Sequence, residues 1–134
     1  MNISNVENDH DFVKEIIEAI PGLFYLLDAN GQFVMWNDYL RDSVMFKSEY
    51  EMTATSALDS IHPDDRLLVR EKIGNIISSG VEDCVEVRAF RRGGPEFLWY
   101  LLRGKRVIID HKPFVIGLGT DIPGARSRRT SFKG

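Results

Sequence analysis

A single well-marked helix lies in the middle of the chain, with strand-like segments on both sides of it. It opens with the run Ile61-His62-Pro63-Asp64-Asp65-Arg66, in which a proline suits the first helical turn and two aspartates suit the positive end of the helix dipole. Apolar residues then recur at helical spacing up to Ile77, and Gly80 follows as a C-cap. This pattern predicts a helix over residues 64–79 that buries one face against the rest of the fold.

Two strand-like segments precede this helix and three follow it. The first two, residues 23–28 and 32–36, flank Ala29-Asn30-Gly31, whose Asn-Gly pair supplies the left-handed residues of a hairpin turn. The other three are residues 84–90, 96–109 and 114–120. This order predicts an α+β fold with a five-stranded antiparallel sheet and helices packed on one face.

The two ends of the chain differ in composition from its centre. Residues 11–20 carry apolar side chains at helical spacing, and Pro21-Gly22 ends that pattern. The polar residues 1–10 are expected to be a flexible N-terminus, and residues 11–122 a single domain. Residues 123–134 begin with Pro-Gly and carry four basic residues without an acid, so we expect a flexible basic tail or linker there.

Composition limits the classes of function. The 134 residues fit one domain, and 43% hydrophobic with 28% charged residues is typical of a soluble globular protein. The net charge of -3 gives no reason to expect nucleic-acid binding, and the single Cys84 excludes an internal disulfide framework. No apolar run reaches the roughly 18 residues that span a bilayer. We therefore expect a cytoplasmic domain without membrane contact, with any membrane anchor of a parent protein outside this sequence.

Five short motifs, taken in order, resemble those of PAS domains from bacterial sensory proteins. They span about residues 11–122, and they are Leu27-Asp28-Ala29-Asn30-Gly31 followed by Asn37, the Ile61–Arg66 helix start, Val85-Glu86-Val87-Arg88 before a glycine turn, Trp99, and Gly119-Thr120-Asp121-Ile122. The resemblance implies a curved sheet whose concave face, with the central helices, encloses a pocket for a small ligand or cofactor. It also implies a sensor for signal transduction that regulates a separate output domain, such as the histidine kinase of a two-component system.

The inner face of the sheet is the expected ligand-binding surface. Successive side chains of a strand point to opposite faces, and the resemblance to the flavin-binding members of the family indicates which set points inward. The predicted ligand-binding residues are Tyr25, Leu27, Phe33, Met35, Val87, Leu98, Tyr100, Leu102, Gly104 and Gly119. Because the glycines, including Gly117, should leave the sheet floor open, a pocket is expected above them.

The opposite face of the sheet is unusually apolar. Its predicted interface residues are Phe24, Trp36, Trp99, Leu101, Ile116 and Leu118. A sheet face open to water should be polar, so the helix of residues 11–20, a second copy of the domain, or both must cover this one. We expect a homodimer in which that helix joins the interface; the rival outcome is a monomer whose helix covers its own sheet.

Cofactors can be weighed by the residues that their chemistry requires. The light-sensing flavin (LOV) type needs a reactive thiol on the helix before the central one, but residues 54–60 contain none, and Cys84 begins a strand. Haem needs an axial ligand on a pocket wall, yet residues 64–79 contain no histidine. His62 fits a helix-entry role, and no metal site is predicted. Flavin and haem are therefore disfavoured, and the identity of the cofactor or ligand stays open.

Catalysis is disfavoured by the same residues. An enzyme that used the inner cavity would need a buried acid or histidine on the inner face, and the predicted inner face has neither. Asp64 and Asp65 do not form an acid–base pair, since adjacent helical residues diverge by about 100° and capping explains both. Two non-enzymatic hypotheses remain, a ligand-binding sensor and a ligand-free PAS module that serves dimerisation or protein interaction.

Overall fold

The computed structural model describes residues 6–123, with side chains from residue 9 onward. The predictions made for residues 1–5 and 124–134, the basic tail among them, lie outside this part of the chain. The elements in order are α1 (Val6–Glu18), β1 (Leu23–Leu27), β2 (Phe33–Trp36), a π-helical turn (Leu40–Met45), α2 (Glu49–Met52), two 3-10 turns (Ala57–Ser60 and Pro63–Asp65), α3 (Arg66–Ser79), β3 (Asp83–Phe90), β4 (Phe97–Ile109) and β5 (Lys112–Asp121).

The strands form one antiparallel sheet in the order β2-β1-β5-β4-β3. The segments between β2 and β3 pack on its inner face, where α3 lies against β3, β4 and β5. The hydrophobic core lies between these two layers and includes Leu27, Val44, Met52, Val87 and Val115. The predicted α+β fold with a five-stranded antiparallel sheet is confirmed.

The start and the end of α3 follow the sequence signals. Pro63 stands in the first turn, and the ring nitrogen Nδ1 of His62 accepts a hydrogen bond of 3.0 Å from the backbone N–H of Asp64. At the other end Gly80 adopts a left-handed conformation (φ 76°), and its N–H donates to the carbonyl of Ile76. His62 lies at the helix entry, as expected, and Gly80 forms the expected C-cap.

Helix α1 begins earlier than expected. It runs from Val6 to Glu18, so residues 6–10, which we expected to be flexible, are helical in the structure, and the helix ends two residues before Ile20. Together α1 and β2 line a groove that includes Ile17 and Met35. No helix within residues 6–123 is long and apolar enough to cross a membrane.

A bulge in β2 reverses two of the predicted side-chain directions. Tyr25 pairs with Trp36 and Leu26 with Met35, but Leu27 pairs with Phe33, so Val34 is an extra residue. Because directly paired residues share a face, Trp36 lies on the inner side with Tyr25, and Met35 lies on the outer side with Leu26. The prediction of Met35 as inner and Trp36 as outer was therefore wrong.

Asn37 joins α1 to the sheet. Its side chain is buried, and its Oδ1 accepts hydrogen bonds from the backbone N–H groups of Phe24 (3.2 Å) and Leu40 (3.1 Å). Its Nδ2 donates to the carbonyls of Gly22 (2.9 Å) and Ile17 (3.3 Å). One side chain thus satisfies backbone groups from α1, the turn after it, β1 and the π-helical turn.

Asp65 joins the start of α3 to the edge strand β3. Its carboxylate is 2% exposed, and it accepts hydrogen bonds from the Arg88 guanidinium at 2.8 and 3.0 Å and from the Arg88 backbone N–H at 2.9 Å. The Arg88 guanidinium also stands 5.2 Å from the centre of the Trp99 ring. The hydrogen bonds to the Asp65 carboxylate raise the pKa of Arg88, so its guanidinium stays charged.

Candidate functional site

A cavity of about 60 Å³ lies between the inner face of the sheet and the helical layer. Its walls are almost entirely apolar. The strands contribute Leu23, Tyr25, Leu27, Phe33, Asp83, Cys84, Val85, Ala89, Leu102, Gly104 and Val115. The helical side contributes Leu40, Val44, Ala57, Ser60, Ile61, Val69, Lys72, Ile73 and Ile76.

Half of the predicted ligand-binding residues line this cavity. They are Tyr25, Leu27, Phe33, Leu102 and Gly104. Val87 and Tyr100 are fully buried in the adjoining core but are not part of the cavity wall. Alternation along the strands therefore identified the face that borders the cavity, while the packing of individual side chains decides which of its residues reach the cavity.

The glycines of the sheet floor point inward, but the protein covers two of them with its own side chains. A Cβ at Gly119 would meet Leu102 at 2.7 Å and Leu23 at 3.0 Å, and a Cβ at Gly117 would collide with the phenol of Tyr25. Only Gly104 borders the cavity, with Val115 and Ile76 nearby. The predicted open floor over Gly117 and Gly119 was wrong, and so was the placement of Gly119 on the pocket wall.

Two other predicted pocket residues lie elsewhere. Leu98 is exposed, because it lies close to the end of the β3–β4 hairpin, and it does not border the cavity. Met35 lies outside because of the bulge in β2, and it borders the groove beside α1. Neither residue contacts the candidate site.

The sequence reasoning did not assign the helical wall of the cavity. On α3, Ile73 and Ile76 belong to the apolar stripe that the helical period predicts to be buried, and Val69 lies four residues before Ile73 on the same wall. Leu40 and Val44 come from the π-helical turn, whose irregular period gave no comparable signal.

The cavity opens between α3 and the start of β3. There the ammonium group of Lys72 and the carboxylate of Asp83 form an ion pair of 2.8 Å, and both side chains are about one third exposed. The hydrogen bond from Lys72 holds the pKa of Asp83 below its usual value. Cys84, the next residue, is exposed at the same opening. An ion pair that faces water thus stands at the mouth of the cavity.

Two buried phenols lie on the inner face. Burial raises the pKa of Tyr25 and of Tyr100 well above the usual value, so both are neutral at physiological pH. The neighbouring Tyr39 side chain adds to the rise in the pKa of Tyr100. Within residues 9–123 no group of three His, Cys, Asp or Glu side chains comes together in a way that could hold a metal ion.

The outer face is only partly covered. Phe24 and Leu26 are buried, and Ile17 of α1 is buried as well. Leu118 is 45% exposed, whereas Trp99, Leu101 and Ile116 are partly exposed. On α1 itself, Ile16 is 49% exposed. Of the six predicted interface residues, Trp36 is on the inner side of the sheet and Phe24 is covered within the chain, which leaves four with exposed apolar area.

Comparisons with known proteins bear on the fold. No family model matches the chain, and no curated protein matches it. Among solved structures, the PAS domain of an HTR-like protein from Haloarcula marismortui is 18% identical with a TM-score of 0.73, and the match covers 87% of this chain and 94% of that one.

Two further structures extend this likeness. A PAS domain from a two-component sensor histidine kinase is 16% identical with a TM-score of 0.70, over 88% of this chain and all (100%) of that one. The PAS domain of the RpfR quorum-sensing receptor from Cronobacter turicensis, solved in complex with C12:0, is 23% identical with a TM-score of 0.66, over 77% and 95% of the two chains. At these identities the likeness bears on the fold alone.

Proposed function

Because this chain has the PAS fold, we propose that it is a sensor module that binds a small molecule in its inner cavity and regulates a separate output domain, such as a histidine kinase. The observation that carries the proposal is the apolar cavity of about 60 Å³ between sheet and helices, with a mouth between α3 and β3. A binding site of this kind is concave, mostly apolar and supplied with a few polar groups.

Two of the fold relatives support this role. One belongs to a two-component sensor histidine kinase, and another is a quorum-sensing receptor domain in complex with C12:0. Catalysis is not part of the proposal, because the described cavity wall contains no histidine and its one acid, Asp83, is paired with Lys72. The module would therefore act through occupancy of the cavity or through dimer geometry.

Xenon tests whether the cavity can take up a guest. We expect xenon to shift the backbone amide signals of residues around the cavity in a two-dimensional NMR spectrum of the wild-type chain, because an enclosed apolar space of this kind binds small apolar atoms. Ala57→Leu adds three carbon atoms to the cavity wall and should abolish these shifts.

The matched control is Ala54→Leu, the same substitution at an exposed position that does not border the cavity. It should respond to xenon as the wild type does. A wild-type spectrum in which the inner residues do not respond to xenon would contradict the ligand-binding proposal and favour a PAS module that serves only assembly.

Assembly is the second part of the proposal, and the exposed apolar side chains of the outer face favour it. We propose a homodimer in which Leu118 and Ile116 of the sheet and Ile16 of α1 are buried by a second copy. Burial of apolar surface contributes about 25 cal/mol per Å² before the costs of association are subtracted. Most homodimers are symmetric, so one patch on each chain would meet its own copy.

Sedimentation measurements test the dimer. We expect a wild-type dimer at micromolar concentration, and monomers for Leu118→Glu and Ile16→Glu, because each substitution places a charge in the apolar interface. Leu67→Glu is the control, since Leu67 is 64% exposed on α3, away from the outer face, and this variant should remain dimeric. A wild type that stays monomeric at high micromolar concentration would exclude this assembly.

A further inference from the structure

The Tyr25 phenol lies at one end of a row of residues that crosses the sheet to the mouth of the cavity. Tyr25 on β1 pairs with Gly117 on β5, Gly117 pairs with Gly104 on β4, and Gly104 pairs with Asp83 on β3. The hydroxyl end of the ring lies over Gly117, where a Cβ would collide with it. The phenol therefore extends from β1 toward the glycine that borders the cavity.

The Tyr25 hydroxyl differs from the other polar side chains on the described part of the cavity wall, since those of Ser60, Lys72 and Asp83 make hydrogen bonds within the protein. The Ser60 hydroxyl donates to the carbonyl of Ala57 at 2.6 Å, and Lys72 and Asp83 are paired with each other at the mouth. No described residue makes a hydrogen bond with the Tyr25 hydroxyl, and the raised pKa keeps its proton in place. Tyr25 is half-buried, and a guest that accepts a hydrogen bond from its hydroxyl inside the cavity would gain the net contribution of that bond.

The character of the wall limits what such a guest can be. Transfer of a charged group into apolar surroundings without a counter-charge is costly, and the one cation that borders the cavity, Lys72, is engaged by Asp83. A neutral guest is therefore favoured over a carboxylate or a phosphate. The wall is otherwise almost entirely apolar, so the rest of the molecule should be apolar.

The volume of the cavity limits the size of the guest. An apolar cavity of about 150 Å³ accepts benzene, with its six heavy atoms. The present cavity, at about 60 Å³, is less than half as large, so it suits a molecule of a few heavy atoms unless the wall moves.

We infer that the cavity binds small, neutral, mainly apolar carbonyl compounds, and that the Tyr25 hydroxyl donates a hydrogen bond to the carbonyl oxygen. This inference rests on the proposed function, since it names the class of ligand for the same cavity. Tyr25 acts as the specificity-determining residue, because the remaining wall distinguishes guests by shape and not by polarity.

Two probes of the same shape test the inference, 2-butanone and 2-methyl-1-butene, in which a CH₂ group replaces the carbonyl oxygen. Each is titrated into the wild-type chain and the dissociation constant is measured from amide shifts of residues around the cavity. Because a hydrogen bond contributes about 0.5–1.5 kcal/mol net, Tyr25→Phe should weaken the binding of 2-butanone roughly 2- to 13-fold and leave the binding of 2-methyl-1-butene unchanged.

The control is Tyr100→Phe, which removes a phenol oxygen that is buried in the adjoining core and does not border the cavity. It should leave both dissociation constants unchanged, and the spectra of both variants report whether they are folded. If both probes bind the wild type, but Tyr25→Phe weakens the binding of both probes equally or of neither probe, the inference is overturned while the sensor proposal stands. If neither probe binds the wild type, the inference and the ligand-binding part of the proposed function fail together.

Discussion

Asn37→Ala should lower the free energy of unfolding by about 4 kcal/mol, because it leaves four buried backbone groups without partners at about 1 kcal/mol or more for each. The two N–H groups belong to Phe24 and Leu40, and the two carbonyls belong to Ile17 and Gly22. Urea denaturation followed by tryptophan fluorescence measures the loss. Asn75→Ala, at an exposed position on α3, is the matched control and should change stability by about 0.5 kcal/mol or less.

A second substitution at this position separates the two halves of the Asn37 network. Asn37→Asp keeps oxygen acceptors for Phe24 and Leu40, but it places an acceptor opposite the carbonyls of Ile17 and Gly22. It should therefore be at least as destabilising as the alanine variant at neutral pH, since a charge is also buried. Equal stability of the wild type and both Asn37 variants would show that these hydrogen bonds do not hold α1 to the sheet.

Asp65→Ala should cost about 3 kcal/mol of unfolding free energy. Loss of one partner from a buried ion pair costs roughly 3–5 kcal/mol, and we take the lower end because the Arg88 side chain is 27% exposed and water can partly solvate it. The backbone N–H of Arg88 loses its acceptor as well. The same denaturation experiment measures the effect.

Asp64→Ala is the control for this ion pair. Asp64 is the adjacent carboxylate, and its side chain is 75% exposed, so its removal should cost no more than about 1 kcal/mol. Equal losses for the two aspartate variants would mean that charge at the start of the helix matters and that the contact with Arg88 does not. Arg88→Met should approach the loss seen for Asp65→Ala, since it leaves the buried carboxylate without its cation.

The sheet and the central helix could be predicted because each is marked by side chains of alternating or helical period and bounded by turn residues. Pro63 and Gly80 indicate where α3 starts and ends, and glycine-containing turns mark the boundaries between strands. The bulge could not be predicted in the same way. All four residues of β2, Phe33–Trp36, are apolar, so no polar residue marks the phase of the alternation or reveals the extra residue.

The candidate site was predictable only as a face of the sheet. Five of the ten predicted ligand-binding residues line the cavity. Whether a residue of this face reaches the cavity depends on how the side chains pack after the chain has folded, which alternation along a strand does not predict. Gly117 shows the limit, since its lack of a side chain suggested open space, whereas the structure uses that space for the ring of Tyr25. A glycine in a strand indicates a close approach, but the sequence does not say whether a ligand or the protein itself makes it.

If the cavity binds a ligand as proposed, the ion pair between Lys72 and Asp83 bears on how fast that ligand exchanges. Pairs that face water to this extent contribute about 0–1 kcal/mol, so separating the two side chains at the mouth adds little to the barrier for ligand exchange. A weakly held guest behind such an opening would equilibrate quickly with its surroundings. Occupancy of the cavity would then depend on the current concentration of the guest and not on its earlier concentrations.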